Sequence, residues 1–398
     1  GDHQVEVVAK DSAGVWQAFG EATRSRRWTV DPNLSRLLIS EVMANNGGAF
    51  DHEGTFPDYI ELWNDSASSR DLTGMAISDR NDRDAGWVFP PGTVIGAGDR
   101  LLVFAAQPDG SPGLYTGFAL DAEGEGVFLF DSAAAGGTPL DSVEFGFQLP
   151  GRPIARTGPD QDWTLALPTP GQPNGDPART GSPELLVINE WLATSGIVYD
   201  KDFVELYNPS ALPVLLSGLA LTDDPNNDPL RHTIADLSFI DAAGFVKFIA
   251  DGDAEQGPSH LNFRLSKLLE RLGLSFGSGE PIDRVQFSNG VDDRSGGRSP
   301  DGSPLFERFA IPTPGFANDT NLAMETRLIQ NLRIVELQYH PPISGDYEYV
   351  KLQNIGDQTI SLGGAQFDEG ISFDFPDLEL GPGEVAYVAS DAAGFAAR

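Results

Sequence analysis

The chain contains no cysteine among its 398 residues. Disulfides, thiolate metal sites and cysteine nucleophiles are therefore excluded. Lysine is scarce, with five of the 26 basic residues and arginine supplying the rest. The five histidines are His3, His52, His232, His260 and His340, and none has a partner at a zinc-binding spacing. No apolar run reaches the length of a membrane span. Nucleophile elbows, phosphate-binding loops and the kinase His-Arg-Asp signature are also missing. Basic charge is outweighed throughout: 26 basic against 59 acidic residues gives a net charge of −33. Such a field opposes phosphate backbones and anionic lipid surfaces, so nucleic acid and direct membrane insertion are poor expectations.

What is abundant is punctuation. Glycine (45) and proline (29) sit between short apolar runs, the pattern of an all-β protein with many short strands. The runs themselves recur. Leu38-Ile39-Ser40-Glu41-Val42 returns as Val187-Ile188-Asn189-Glu190-Trp191 and as Arg333-Ile334-Val335-Glu336-Leu337. A second block follows each: Asp58-Tyr59-Ile60-Glu61-Leu62-Trp63-Asn64, Asp202-Phe203-Val204-Glu205-Leu206-Tyr207-Asn208 and Glu348-Tyr349-Val350-Lys351-Leu352-Gln353-Asn354. The spacings, 188 − 39 = 149 and 334 − 188 = 146, are those of independently folding domains rather than of a solenoid. Repeated modules commonly bind, space or assemble.

Within the second block, Ile60 and Leu62 share one face of a strand while Tyr59, Glu61 and Trp63 share the other. The aliphatic face suits a core between two sheets and the aromatic face a half-covered surface, so Tyr59 is expected to tolerate substitution better than Ile60. Asn64 and Asn208, which end these strands, are placed to hydrogen-bond locally and start a turn. Two repeats close with one phrase, Pro168-Thr169-Pro170-Gly171-Gln172-Pro173-Asn174 and Pro312-Thr313-Pro314-Gly315-Phe316-Ala317-Asn318. Its prolines end the last strand and lead into a linker. The third repeat carries only the first half of the pattern, and strand edges left unpaired are expected there. One stretch conflicts with the repeat, since Phe263–Leu272 has a helical stripe. The aligned Glu123–Leu129 reads as turn and strand, so a strand is expected over Glu270–Phe276.

Ile-x-Glu, then a strand ending Glu-Leu-aromatic-Asn, then Leu72-Thr73-Gly74-Met75-Ala76-Ile77-Ser78-Asp79 and Leu216-Ser217-Gly218-Leu219-Ala220-Leu221-Thr222-Asp223, together resemble the lamin tail domain. Ile249-Ala250-Asp251-Gly252-Asp253, His260–Ser266, Gly297–Gly302 and Tyr339-His340-Pro341-Pro342 are similar to tail domains of large secreted bacterial proteins, some of which carry a kinase-like domain of the spore-coat-protein-H type. The resemblance implies tandem immunoglobulin-like β-sandwiches used as non-catalytic binding or anchoring modules. Residues 1–32 are similar to the closing hairpin of an immunoglobulin or fibronectin-type-III domain. Residues 33–178 and 179–320 form lamin-tail-like domains, and 321–398 the first half of a third. The third copy departs from the pattern: Glu61 and Glu205 are matched by Lys351, and Trp63 and Tyr207 by Gln353.

Candidate chemistry is sparse, and no catalytic residue is assigned. Glu41 with Glu61, and Glu190 with Glu205, are cross-strand carboxylate pairs, for which a hydrogen-bonding role is expected over acid–base catalysis. The loops bearing Asp79, Asn81 and Asp84, and Asp223, Asp224 and Asp228, offer oxygen ligands to calcium, although neither has EF-hand spacing. No other cofactor is expected. Trp63, Tyr207 and His260 are candidate binding residues, and Trp63, Trp87, Trp163, Trp191 and Tyr207 could form an aromatic platform for a protein or polysaccharide, although single aromatics in a sandwich are more often core and a packing or hydrogen-bonding role is favoured for His260. The expectation is an extracellular or cell-surface bacterial module that binds or spaces. The alternatives are an accessory region of a kinase-like or hydrolytic secreted enzyme, or a carbohydrate-binding module. Oligomeric state and ligand are not legible.

Overall fold

The computed structural model describes the chain except residues 1, 11, 13, 19, 21, 27, 30–35, 197–198, 200, 289, 310, 319–327, 329–330, 340–347, 363–364, 368–372, 377, 391–394 and 396–398. His340, Pro341 and Pro342 of the third repeat therefore lie outside the described residues. Among those that are described, short strands are joined by turns, with brief 3-10 turns such as Pro183–Leu185 and no long helix. The all-β expectation holds.

The chain divides into two compact units. One comprises residues 1–188, 206–264 and 271–286, the other residues 189–205, 265–270 and 287–398. The first unit contains a β-sandwich built by the first repeat. Its five-stranded sheet has the order Arg100–Ala105, Asp58–Asp65, Arg36–Met43, Ile154–Thr157, Asp162–Leu165. Facing it is a four-stranded sheet in the order Pro139–Phe145, Glu125–Phe130, Ala76–Ser78, Trp87–Val88. Between them lie Ile39, Val42, Ile60, Leu62, Ile77, Val103, Val127, Leu129 and Ile154, all fully buried. Each aliphatic side chain placed there contributes roughly 1.5–3 kcal/mol by leaving water.

Strict alternation does not deliver this core. Ile39 and Val42, three positions apart, both face it because the register slips between Ile39 and Glu41. This β-bulge turns Glu41 to the outer face, directly across from Glu61 on the neighbouring strand. A shift at the same place, between Ile334 and Glu336, recurs in the third repeat.

The outer face of the five-stranded sheet is not half-covered as expected, and Tyr59 is fully buried. Met43, Phe104 and Tyr115 form a second cluster around it, with Phe50 packed on its edge at 5.5 Å between ring centroids. His52 stacks on Phe104 at 4.0 Å. The loop bearing Phe50 and His52 and the loop bearing Tyr115 cover what the sequence pattern leaves to solvent.

In the same unit, Ala220–Thr222 pairs with His232–Thr233 on one edge and with Leu269–Ser275 on the other, Leu221 opposite Leu274. The strand Leu269–Ser275 bears out the repeat over the local helical stripe. The N-terminal segment forms two short ribbons, Asp2–His3 with Trp28–Thr29 and Glu6–Val7 with Thr23–Arg24. Backbone bonds join the first repeat to a segment of the second: Gly146 N–H to Asp236 O (3.0 Å) and Phe239 N–H to Phe147 O (2.9 Å). The Gln148 amide adds a bond to Leu237 O at 2.7 Å. Phe239 belongs to the core of the first sandwich.

In the second unit, Val187–Leu192 pairs with Ser295–Arg298, which pairs in turn with Phe306–Phe309. The third repeat contributes a sheet in the order Leu332–Gln338, Tyr349–Asn354, Val385–Ala389. Its core holds Val350, Leu352, Ile360, Leu362, Leu380 and Val388. Leu332–Gln338 pairs on one side only among the described residues, and Ile334 and Leu337 are exposed. Asn64, Asn208 and Asn354 end equivalent strands and are fully buried. Each donates its side-chain amide to two carbonyls, respectively Ser68 and Gly96, Leu212 and Asp241, Gln358 and Leu380. The turn-forming role expected of this asparagine is the one it has.

Candidate functional site

The chemistry-bearing groups with the deepest burial are the paired glutamates. Glu41, Glu61, Glu190 and Glu205 are each fully buried. An ionised carboxylate in such a place is costly unless donors surround it. The closing phrase supplies them. In the first repeat, Glu41 accepts from the Thr169 N–H (3.1 Å), the Thr169 hydroxyl (2.6 Å) and the Tyr59 hydroxyl. Glu61 accepts from the Gly171 N–H (2.7 Å) and the Ser40 hydroxyl (2.5 Å), and its carboxylate lies 3.3 Å from the Arg100 guanidinium. Asn174 completes the clasp by donating to Ser40 O and Arg156 O at 2.8 and 2.9 Å.

The second repeat rebuilds this set. Glu190 accepts from the Thr313 N–H (3.0 Å), the Thr313 hydroxyl (3.1 Å) and the Ser295 hydroxyl. Glu205 accepts from the Gly315 N–H at 2.6 Å and from the Asn189 amide at 3.3 Å. Asn318 donates to Asn189 O and Arg298 O. Gly171 and Gly315 hold φ of 74° and 87°, a left-handed conformation that costs glycine little and turns the N–H inward. The residue aligned with Arg100 is Phe245, and among the described residues no cation is seen to pair with Glu205. Burial pushes the Glu205 carboxyl up to about 9, and that of Glu61 up to about 7. Burial also raises Glu190. These donors occupy the carboxylate oxygens, so the pairs tie the closing phrases to the sheet.

In the third repeat, Glu336 is half-exposed and lies 3.6 Å from the Lys351 ammonium. It accepts from the Tyr349 hydroxyl. The carboxylate pair has become an ion pair.

The acidic loops are held by cationic and amide partners. Asp79 lies 3.3 Å from Arg80, and Asp84 3.3 Å from Arg83. Asp223 pairs with Arg231, Asp224 accepts from the Asn227 amide at 3.0 Å, and the Asp228 carbonyl accepts from Thr222. Among the described residues no three carboxylates or histidines converge as a metal set. Asn81 lines an open cleft beside Asp79.

The aromatic residues do not form one platform. Trp63 is half-buried beneath the Arg100 guanidinium at 5.1 Å. Tyr207 stacks on Phe245 at 4.8 Å, and Trp163 lies 4.8 Å from Arg156. Trp87 packs edge-on against Phe89. Trp191 is buried between Phe287 and Phe306. Trp63, Tyr207, Trp163 and Trp191 each lie against a side chain of another strand, and Trp87 lies against Phe89 two positions along its own segment. His260 sits 3.0 Å from the Asp251 carboxylate, which also accepts from the Gln256 amide at 2.9 Å. The closing-phrase threonines and glycines are functional residues that strand patterning alone does not single out. The usable signal is that the phrase recurs at nearly constant distance from the first glutamate, 169 − 41 = 128 and 313 − 190 = 123.

Residues 31–147 match the family model of the lamin tail domain, which supports a lamin tail domain in the first repeat. The matched segment ends at Phe147, before the closing phrase. No curated protein and no solved structure matches the chain. No helix among the described residues is long and apolar enough to cross a membrane.

Proposed function

We propose that the chain is a non-catalytic binding and spacing array of lamin-tail-like sandwiches, part of a larger bacterial surface or secreted protein. The observation that carries this reading is the fate of the four buried glutamates. Groups that could do acid–base chemistry have their oxygens taken by the chain's own closing phrases. A catalytic carboxylate pair needs at least one oxygen within reach of substrate. Further support comes from the repeated sandwich plan and from the backbone bonds that fix the first repeat to residues 236–239. The acidic surface favours protein or polysaccharide partners over nucleic acid. It also suits an exposed, saline-facing location.

The test is turnover by the isolated chain. Phosphotransfer from ATP and cleavage of glycosidic substrates should both be absent at any pH where the chain is folded. Turnover in either assay, lost on Glu61→Gln or Glu205→Gln, would assign the chain instead to the accessory region of a kinase-like or hydrolytic enzyme.

A further inference from the structure

The first unit contains an open cleft of about 1160 Å³ at the joint between the first sandwich and residues 235–239. Its floor is apolar. Val143 and Phe145 come from one sheet, Leu165 from the other and Phe239 from the second repeat, all buried in the first core. Its rim is acidic: Glu125, Glu144 and Asp236 face it, against one arginine, Arg80, already paired with Asp79.

Both sheets of the first sandwich end at this cleft. Pro139–Phe145 is the terminal strand of the four-stranded sheet and Asp162–Leu165 that of the five-stranded one. The Asp162–Leu165 edge is partly covered, because Ala178 N–H bonds to Leu165 O at 2.8 Å. Pro139–Phe145 pairs only with Glu125–Phe130 among the described residues, so its outer edge presents main-chain groups to the cleft. An open edge is a template for another strand, and charges placed on it decide which strands are admitted. Glu144 is exposed on that edge. It repels an acidic strand and attracts a basic one.

We propose that this cleft is a docking groove for a basic, extended polypeptide segment. The segment adds beside Pro139–Phe145, setting alternate apolar side chains on the half-buried Trp163 and Leu237 and its lysines or arginines against Glu125, Glu144 and Asp236. Alternation of side chains along a strand gives both contacts to one peptide. Burial pushes the Glu125 carboxyl up to about 7, with the charges of Asp79 and Asp121 adding to the effect. A cation brought into the cleft relieves that repulsion. The proposal names the partner class of the binding reading above and rests on it.

The experiment titrates the full chain calorimetrically with three probes: an alternating lysine–valine peptide, its glutamate–valine counterpart and a neutral β-linked oligosaccharide. The basic peptide should bind, more weakly as salt rises, and the other two should not. Glu144→Lys combined with Glu125→Gln should weaken it by about tenfold, with thermal melting checked first. If the double variant fails to fold, Glu144→Lys alone, on an exposed side chain, carries the test. No binding by the basic peptide, equal binding by the acidic one, oligosaccharide binding in its place, or an unchanged affinity in the folded variant would each overturn the groove. The turnover assays are independent of all these outcomes, so the groove can fail while the non-catalytic reading stands.

Discussion

At the scale of single residues, the molecule is organised by carboxylates that its own backbone satisfies. Thr169 gives Glu41 two donors, and Thr313 does the same for Glu190. Replacing threonine by valine keeps the shape and removes the hydroxyl, leaving a buried acceptor short of a partner. Thr169→Val and Thr313→Val should therefore each destabilise the chain by about 1–3 kcal/mol in urea melts. The second glutamate of each pair carries a pH signature. Burial lifts the folded-state carboxyl of Glu205 from 4.5 to about 9. The folded chain then holds its proton more tightly than the unfolded chain. Stability from this group is fully present below pH 4.5 and is lost as pH rises towards 9. Glu205→Gln keeps an acceptor for Gly315 and removes the titration. Between about pH 5 and about pH 8 the variant should gain on the parent by on the order of 2 kcal/mol, read as the difference between paired melts. A difference that stays flat with pH would rule out a proton on Glu205.

At the scale of elements, strand pattern and strand burial part company at Tyr59 and Glu61, both fully buried on the face expected to be half-covered. The Ile60 and Leu62 face was legible because alternation in a sandwich has period two. The asparagine turn was legible because a short side-chain amide after a strand has few other uses. Tyr59 was misplaced because nothing local announces that loops will fold over the outer sheet. Their aromatic residues, Phe50 and Tyr115, both pack on Phe104, which lies on a third element. The bulge at Ser40 was hidden for the same reason, since a slip in register shows only against the partner strand, although Ile39 and Val42 at a spacing of three hinted at it. The corrected burial changes the expected outcome. Tyr59→Asp should destabilise as severely as Ile60→Asp, each by about 3 kcal/mol or more, and a mild effect of Tyr59→Asp would restore the half-covered face.

At the scale of the whole molecule, period and composition made the all-β plan and the repetition legible, while the joint between repeats was invisible. It depends on Gly146, where an added Cβ would come within 1.9 Å of the Ser238 hydroxyl oxygen. Gly146→Leu should part the joint while leaving the first sandwich folded. Amide exchange should then speed up at position 146 and at Phe239, whose N–H groups cross the joint, and stay slow at Leu62 and Val103. Unchanged protection at the joint would mean that the repeats hold together by other contacts. With Asp79, Asp84 and Asp223 engaged by arginines, chelation should leave the melting temperature where it is, and a drop on chelation would point to a bound divalent cation.

The most direct test of the account is a double-mutant cycle between Glu41 and Thr169, using Glu41→Gln, Thr169→Val and both together. If the closing phrase exists to satisfy the buried glutamate, the urea-melt energies will be non-additive, with a coupling of about 1–3 kcal/mol. Additive losses, or a fully stable Glu41→Gln chain that has instead lost a catalytic activity, would contradict it.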